Sequence, residues 1–319
     1  MSTPKGIPSV DLADFVKGTP QQREQFVQDL GNAYETIGFV AVRNHGIPQE
    51  LIDALYAEMK AFFALPTEVK AKYEIEGIAG QRGYTSFGKE HAKGMKAGDL
   101  KEFWHFGQFV EDGDSIKAEY IDNVAVEELP NFLQIGRDAY KSFENSGQEL
   151  LKAIALFLGL EENYFHEFVH NGNSILRPLH YPPIQGEVEP GAVRAGAHED
   201  INLITLLVGA SADGLEVLNK NKEWVAVTEI QDHIVVNVGD MLQRLTNNRL
   251  KSTTHRVVNP PAAEMGKSRY SVPFFLHPKP SMPLNCLASC IDEEHPQHYA
   301  DITAGDYLME RLREIGLVK

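Results

Sequence analysis

His198-Glu199-Asp200-Ile201-Asn202-Leu203-Ile204-Thr205-Leu206-Leu207-Val208 is the stretch from which the rest of the chain is read. From Ile201 onward it is rich in β-branched and apolar side chains, which predicts a strand beginning at or just after His198. In extended backbone, residues i and i+2 project to one side, so His198 and Asp200 aim together and Glu199 turns away. An imidazole and a carboxylate directed at one point form part of a metal-ligand set. By the same alternation Glu199 stays outside it.

A second β-prone run, Lys251-Ser252-Thr253-Thr254-His255-Arg256-Val257-Val258, carries the histidine that would complete the set if this run returns beside the first. Two imidazoles and one carboxylate on one side of a metal leave its other positions for a cosubstrate and dioxygen, the facial arrangement of non-haem Fe(II) oxygenases. The chain has 12 histidines, and histidines commonly serve ordinary polar or packing roles, so the spacing alone does not decide. A further constellation weighs in its favour. Arg269-Tyr270-Ser271 opens the apolar run Val272-Pro273-Phe274-Phe275-Leu276, and alternation places Arg269 and Ser271 on one face. A guanidinium fork with a hydroxyl beside it suits a small carboxylate. The competing reading of Arg269 is a surface cation paired with one of the many acids.

H-x-D, a distal histidine and then R-x-S occur here in that order, and other motifs surround them. Ile7-Pro8-Ser9-Val10-Asp11-Leu12, Gly38-Phe39-Val40-Ala41-Val42-Arg43-Asn44-His45-Gly46-Ile47, and Phe62-Phe63-Ala64-Leu65-Pro66 with Lys70 lie upstream. Asp213-Gly214-Leu215-Glu216-Val217, Trp224-Val225-Ala226-Val227, Val236-Asn237-Val238-Gly239-Asp240 and Asn247-Asn248-Arg249-Leu250-Lys251-Ser252 fill the core. With these the chain resembles, nearly end to end, the isopenicillin N synthase-like family of 2-oxoglutarate- and Fe(II)-dependent oxygenases, also called the iron/ascorbate oxidoreductases.

The resemblance implies Fe(II) held by His198, Asp200 and His255, and 2-oxoglutarate held at its distal carboxylate by Arg269 and Ser271 with Tyr181 adding a hydroxyl. It also implies a small organic substrate oxidised by hydroxylation, desaturation or cyclisation, O2 as co-reactant, succinate and CO2 as products, and ascorbate as an activator. One departure stands out. Many plant members carry Asn two residues before the tyrosine, whereas Leu179 stands here. That departure keeps open an isopenicillin N synthase-like oxidase that needs no 2-oxoglutarate; a second alternative, open because fold-level similarity does not fix function, is a non-catalytic jelly roll that only binds a metal or small ligand. The first uses a glutamine in its carboxy-terminal tail, and Glu314-Ile315-Gly316-Leu317-Val318-Lys319 supplies none. The R-x-S pair speaks against the second, since a bare metal binder has no use for a carboxylate clamp.

The implied fold is mainly β with flanking helices around a double-stranded β-helix, or jelly roll. Helical spacing of apolar residues predicts helices over 21–37, 49–63 and about 129–158, with a closing helix over 304–315. Short β-prone runs separated by Gly, Asn and Pro occupy 174–276. We expect one catalytic domain over 1–319, with a helix-rich part at 1–173, the jelly roll at 174–280 and a closing segment at 281–319. The Gly-rich loop from Glu76 through Gly98 offers Arg82, Tyr84 and residues 103–106 as pocket candidates, against the plainer reading of a surface loop.

An excess of 45 Asp+Glu over 30 Lys+Arg argues against a nucleic-acid partner, which is bound chiefly by phosphate neutralisation. No apolar run approaches a membrane span and no leader is recognisable, so a cytoplasmic, membrane-free enzyme is expected. Patterning says nothing of oligomeric state. The two cysteines, Cys286 and Cys290, are expected as free thiols, because their spacing to His295 and His298 is wrong for a zinc site.

Overall fold

The computed structural model describes residues 7–78, 80–90, 98–184, 192–208, 214–227 and 232–314; Ala79, Gly94, Asp213 and the tail from Ile315, which the sequence reading touches, lie outside them. Strand β1 (Ser9–Asp11) leads into helices α1 (Leu12–Val16) and α2 (Pro20–Thr36), followed by β2 (Phe39–Arg43), α3 (Gln49–Phe63) and α4 (Thr67–Ala71). Strands β3 (Gly83–Thr85) and β4 (Glu102–His105) precede the long helix α5 (Phe132–Phe157) and the short α6 (His166–Val169). The core strands are β5 (Ile175–Leu176), β6 (Leu179–Tyr181), β7 (Ala195–His198), β8 (Ile204–Val208), β9 (Leu215–Leu218), β10 (Trp224–Ala226) and β11 (His233–Val238). Helix α7 (Asp240–Leu245), β12 (His255–Val257), β13 (Arg269–Leu276) and α8 (Ala304–Glu314) complete the order.

Local chemistry accounts for the helices. Thr19 and Gln22 cap α2 reciprocally, each side chain accepting from the other's backbone N–H, and Pro20 at the first helical position has no N–H to leave unpaired. Helix α5 starts three residues later than expected because Pro130 sits in a turn closed by the Phe132 N–H on Leu129 O. A Cβ at Gly147 of this helix would stand 2.3 Å from Leu276 Cδ1, so any larger residue would have to displace that leucine where α5 packs on the sheet.

Two sheets form the core. The larger runs β1-β2-β11-β8-β13-β6-β4-β3, with β5 also on β13, and the smaller runs β10-β9-β12-β7. All described strand pairs but β1–β2 are antiparallel. Alternation sorts the side chains of β8: Ile204, Leu206 and Val208 join the main apolar cluster with α2, α3 and α5, whereas Leu207 packs with Phe39, Val235, Leu215 and Val217 between the two sheets. Leu206 is fully buried, and its truncation to Ala costs about 2–5 kcal/mol. This is the jelly-roll core with helices against the outer face of its large sheet. Strands from the helix-rich first half, β1 to β4, extend that same sheet.

Candidate metal and cosubstrate site

His198 and His255 are direct cross-strand partners on β7 and β12, with ring centroids 4.4 Å apart. Asp200 Oδ1 lies 3.9 Å from His198 Nε2 and 3.8 Å from His255 Nε2, and one ligand atom from each of the three falls within 4.8 Å of the others. It is the one such cluster found among the described residues.

The route to this convergence differs from the expected one. The strand predicted to begin at His198 ends there, and β8 starts only at Ile204. Between them the backbone caps α7: Asp200 O accepts from Asp240 N at 2.7 Å, Leu203 O from Gly239 N at 2.9 Å, and Ile201 O and Asn202 O both from Met241 N at 3.1 Å. A Cβ at Gly239 would stand 2.2 Å from Asn202 O, so this approach requires glycine. Glu199 points elsewhere, as expected, and accepts from Thr254 Oγ1 at 2.8 Å.

Each non-converging polar atom of the trio has a partner. His198 Nδ1 lies 2.7 Å from Gly196 O and His255 Nδ1 3.1 Å from Thr253 O; carbonyls only accept, so Nδ1 carries the proton and the Nε2 lone pair faces the centre. Asp200 Oδ2 accepts from Thr205 Oγ1 at 2.6 Å and Asn237 Nδ2 at 2.8 Å, which leaves Oδ1 for the centre. Burial, helped by the neighbouring His255, pushes the His198 imidazole down to about 4, so it is neutral and able to ligate at pH 7. Burial works upward on Asp200, but the two imidazoles and the bonds from Asn237 and Thr205 outweigh it and hold the carboxyl below its usual range. Two imidazole Nε2 atoms and one carboxylate oxygen, with the His198 side chain 40% exposed, fit a ferrous ion with an open flank.

The second constellation lies on the large sheet. Arg269 faces Tyr181 and Ser271 faces Leu179 across β13 and β6. Arg269, Ser271 and Tyr181 are buried, with the guanidinium 4.9 Å from the Tyr181 ring centroid and Arg269 Nη1 donating to Ser271 Oγ at 3.4 Å. The surface-cation reading of Arg269 therefore falls away. Tyr270 turns outward and stacks on His180 at 4.7 Å. Leu179 packs with Phe103 and Tyr181, so the side chain two residues before the tyrosine makes an apolar contact.

Alternation divides the expected pocket residues. Phe103 and His105 lie on the inner side, with the Arg177 guanidinium 4.5 Å from the Phe103 ring centroid and 5.0 Å from that of Phe275. Phe275 is registered with Thr205, the residue that bonds Asp200. His105 accepts from Arg177 Nε and donates through Nδ1 to Gly80 O; burial holds it well below the usual imidazole range, hence neutral. Trp104, Phe106 and Tyr84 instead join the helix-side core. Arg82 is a structural residue: it donates to Ile121 O and Gln81 O and packs against Gly107.

Sequence reading missed a buried ion network beside this wall. Lys101 Nζ lies 2.8 Å from both Glu90 and Asp99, and Asp99 Oδ1 accepts from Gly196 N at 3.2 Å, which ties the network to the strand of His198. It also missed Arg194, buried beside Tyr181. For Arg194 the available signal was a lone charge within Ala192-Val193-Arg194-Ala195-Gly196; the members of the ion network stand among other charged residues, as in Asp99-Leu100-Lys101-Glu102, and gave none. The cysteines are free, and His295 pairs with Asp292 rather than with a thiol.

Comparison with known proteins places this geometry. Residues 7–128 match the family described as non-haem dioxygenase in morphine synthesis N-terminal, and residues 170–278 match the 2OG-Fe(II) oxygenase superfamily. The chain is 34% identical over 318 residues to the proline hydroxylase buaE of Petromyces alliaceus, covering 95% of this chain and 97% of that one. A crystal structure of a 2OG-Fe(II) oxygenase family protein from Caulobacter crescentus is 44% identical with a TM-score of 0.88, over 98% of this chain and 99% of that one. A full-length Neurospora crassa protein crystallised in complex with alpha-KG and thymine is 31% identical with a TM-score of 0.85, over 96% of each chain. Among the described residues no helix is long and apolar enough to cross a membrane. With the donor trio, the buried guanidinium and these relatives together, the chain belongs to the Fe(II)- and 2-oxoglutarate-dependent dioxygenases and is an oxidoreductase of that type.

Proposed function

We propose that His198, Asp200 and His255 hold the Fe(II), and that Arg269, Ser271 and Tyr181 receive the distal carboxylate of 2-oxoglutarate. The observation that carries this reading is the engagement of both Nδ1 atoms and of Asp200 Oδ2, which leaves three donors facing one point. When bound, Fe(II) with 2-oxoglutarate and O2 supplies the oxidising chemistry, with succinate and CO2 as coproducts.

The chain's own residues bind and orient. His198 and His255, each engaged at Nδ1, turn Nε2 to the centre, and Thr205 and Asn237 hold the Asp200 carboxylate in one rotation. The Arg269 fork and the Ser271 hydroxyl fix the cosubstrate's far end by charge-assisted bonds in a buried setting, where such bonds are strongest. The wall of Phe103, His105, Arg177 and Phe275 adjoins Thr205 and Asp200. It is where a small polar metabolite would be held for oxidation, in keeping with relatives named for proline hydroxylation and crystallised with thymine. Residues 1–319 act as one catalytic unit, since β1 to β4 continue the large sheet, and the net charge of -15 speaks against nucleic acid as substrate.

Anaerobic titration tests the assignment. Fe(II) followed by 2-oxoglutarate should produce the visible charge-transfer band of a chelated 2-oxo acid. Asp200→Ala should abolish the band, and Arg269→Gln should require far more 2-oxoglutarate to reach it. An undiminished band in Asp200→Ala would overturn the ligand assignment.

A further inference from the structure

Arg194 stands one residue before β7, the strand that ends at His198. It is 2% exposed, as is Arg269. Both guanidiniums approach the same ring: Arg194 Cζ lies 5.9 Å and Arg269 Cζ 4.9 Å from the Tyr181 centroid. Arg194 Nη2 donates to Lys267 O at 3.1 Å, and among the described residues its Nε has no hydrogen-bond partner and the side chain forms no ion pair. Burial, then the positive charge of Arg269, disfavour its protonated form.

A buried cation without a counter-charge is unfavourable, and a second cation beside it adds repulsion. A chain that keeps both in the protein interior has a use for negative charge there. A dicarboxylate brings it. We propose that Arg194 is a second cationic residue of the cosubstrate site, acting with Arg269 on the carboxylate of 2-oxoglutarate farthest from the metal. The inference rests on the cosubstrate reading given above and extends it. It also makes the site one that the ligand completes: the orphaned Nε and the mutual repulsion of the two guanidiniums are relieved when the anion enters.

The test compares ligands as well as variants. Dissociation constants of 2-oxoglutarate and of 2-oxopentanoate, which lacks the distal carboxylate, are measured anaerobically by the charge-transfer band on Fe(II)-loaded wild type, Arg194→Met, Arg194→Lys and Arg269→Gln. The wild type should prefer 2-oxoglutarate strongly. Arg194→Met should cut that preference about 10-fold, the worth of one charge-assisted contact, mainly by weakening 2-oxoglutarate, and Arg194→Lys should recover part of it. Without ligand, Arg194→Met should melt no lower than wild type, and its gain in Tm on adding 2-oxoglutarate should be smaller. A loss of preference in Arg269→Gln but none in Arg194→Met would overturn the inference and leave the parent reading intact. No loss in either variant would overturn both. If Arg194→Met does not fold, Arg194→Lys decides: an unchanged preference together with an unchanged 2-oxoglutarate affinity would count against the proposal.

Discussion

At the metal end of the inner cavity, every polar atom of the trio that faces away from the centre is already engaged, whereas at the carboxylate end the Arg194 Nε is buried with no partner among the described residues. The first end is organised by the protein alone. Carbonyls fix the imidazole tautomers, and a hydroxyl and an amide fix the carboxylate, so the donors stand ready before a metal arrives. The second end holds two guanidiniums near one ring and is completed by its anion. Metal affinity should thus depend on partners behind the ligands, and cosubstrate affinity on charge count.

Substitutions can break that contrast. The largest effect is expected for Asp200→Ala: iron content and turnover should fall together by more than the roughly 100-fold upper bound of outer-shell changes, as read by metal analysis and succinate formation. Full iron occupancy with full activity would remove Asp200 from the site. Asn237→Ala and Thr205→Val leave the three donors in place but loosen Asp200 Oδ2; each should weaken Fe(II) binding by about 10–100-fold with little change in the 2-oxoglutarate constant of the iron-saturated enzyme. If instead the 2-oxoglutarate constant moved and metal binding did not, the division between the two ends would be wrong.

Arg269→Lys replaces a fork by a point charge. It should raise the 2-oxoglutarate requirement about 10-fold, through roughly 1.5 kcal/mol of lost charge-assisted bonding, while kcat at saturation holds. An unchanged requirement would revive the isopenicillin N synthase-like alternative. The smallest effect concerns pH. Burial pushes the buried His277 imidazole down to about 4, so between 6.5 and about 4 the unfolded chain binds a proton that the folded chain refuses. The protein should therefore lose stability as pH falls through that window, with no further loss from this group below it. Denaturant midpoints that stay flat from pH 6.5 to 4 would contradict the buried, neutral state of this ring.

Local signals in the sequence were read well where local forces decide. Helix α3 has the predicted bounds, Gln49–Phe63, because its apolar spacing and the preceding Pro48 suffice. Arg269 and Ser271 share a face because β13 is a continuous strand over them. His198 and Asp200 converge for a reason the sequence could not display: the backbone after His198 bonds to the start of α7, some forty residues onward. The pocket reading of residues 103–106 needed only the alternation of β4 to separate Phe103 and His105 from Trp104 and Phe106. Arg82 and Tyr84, offered as pocket candidates against a structural reading, take the structural one, and the partners that bury them come from distant segments. Arg194 escaped notice for the same reason, since its significance lies in Tyr181 and Arg269 across the fold.

The pairing of His198 directly opposite His255 also bears on assembly. A sheet that zips one position out of step would turn Arg256 inward and His255 outward, because alternation inverts every side chain at once. Such a misthreaded copy would not bring the three donors to one point, so the register of the small sheet and the geometry of the candidate centre are set by the same pairing.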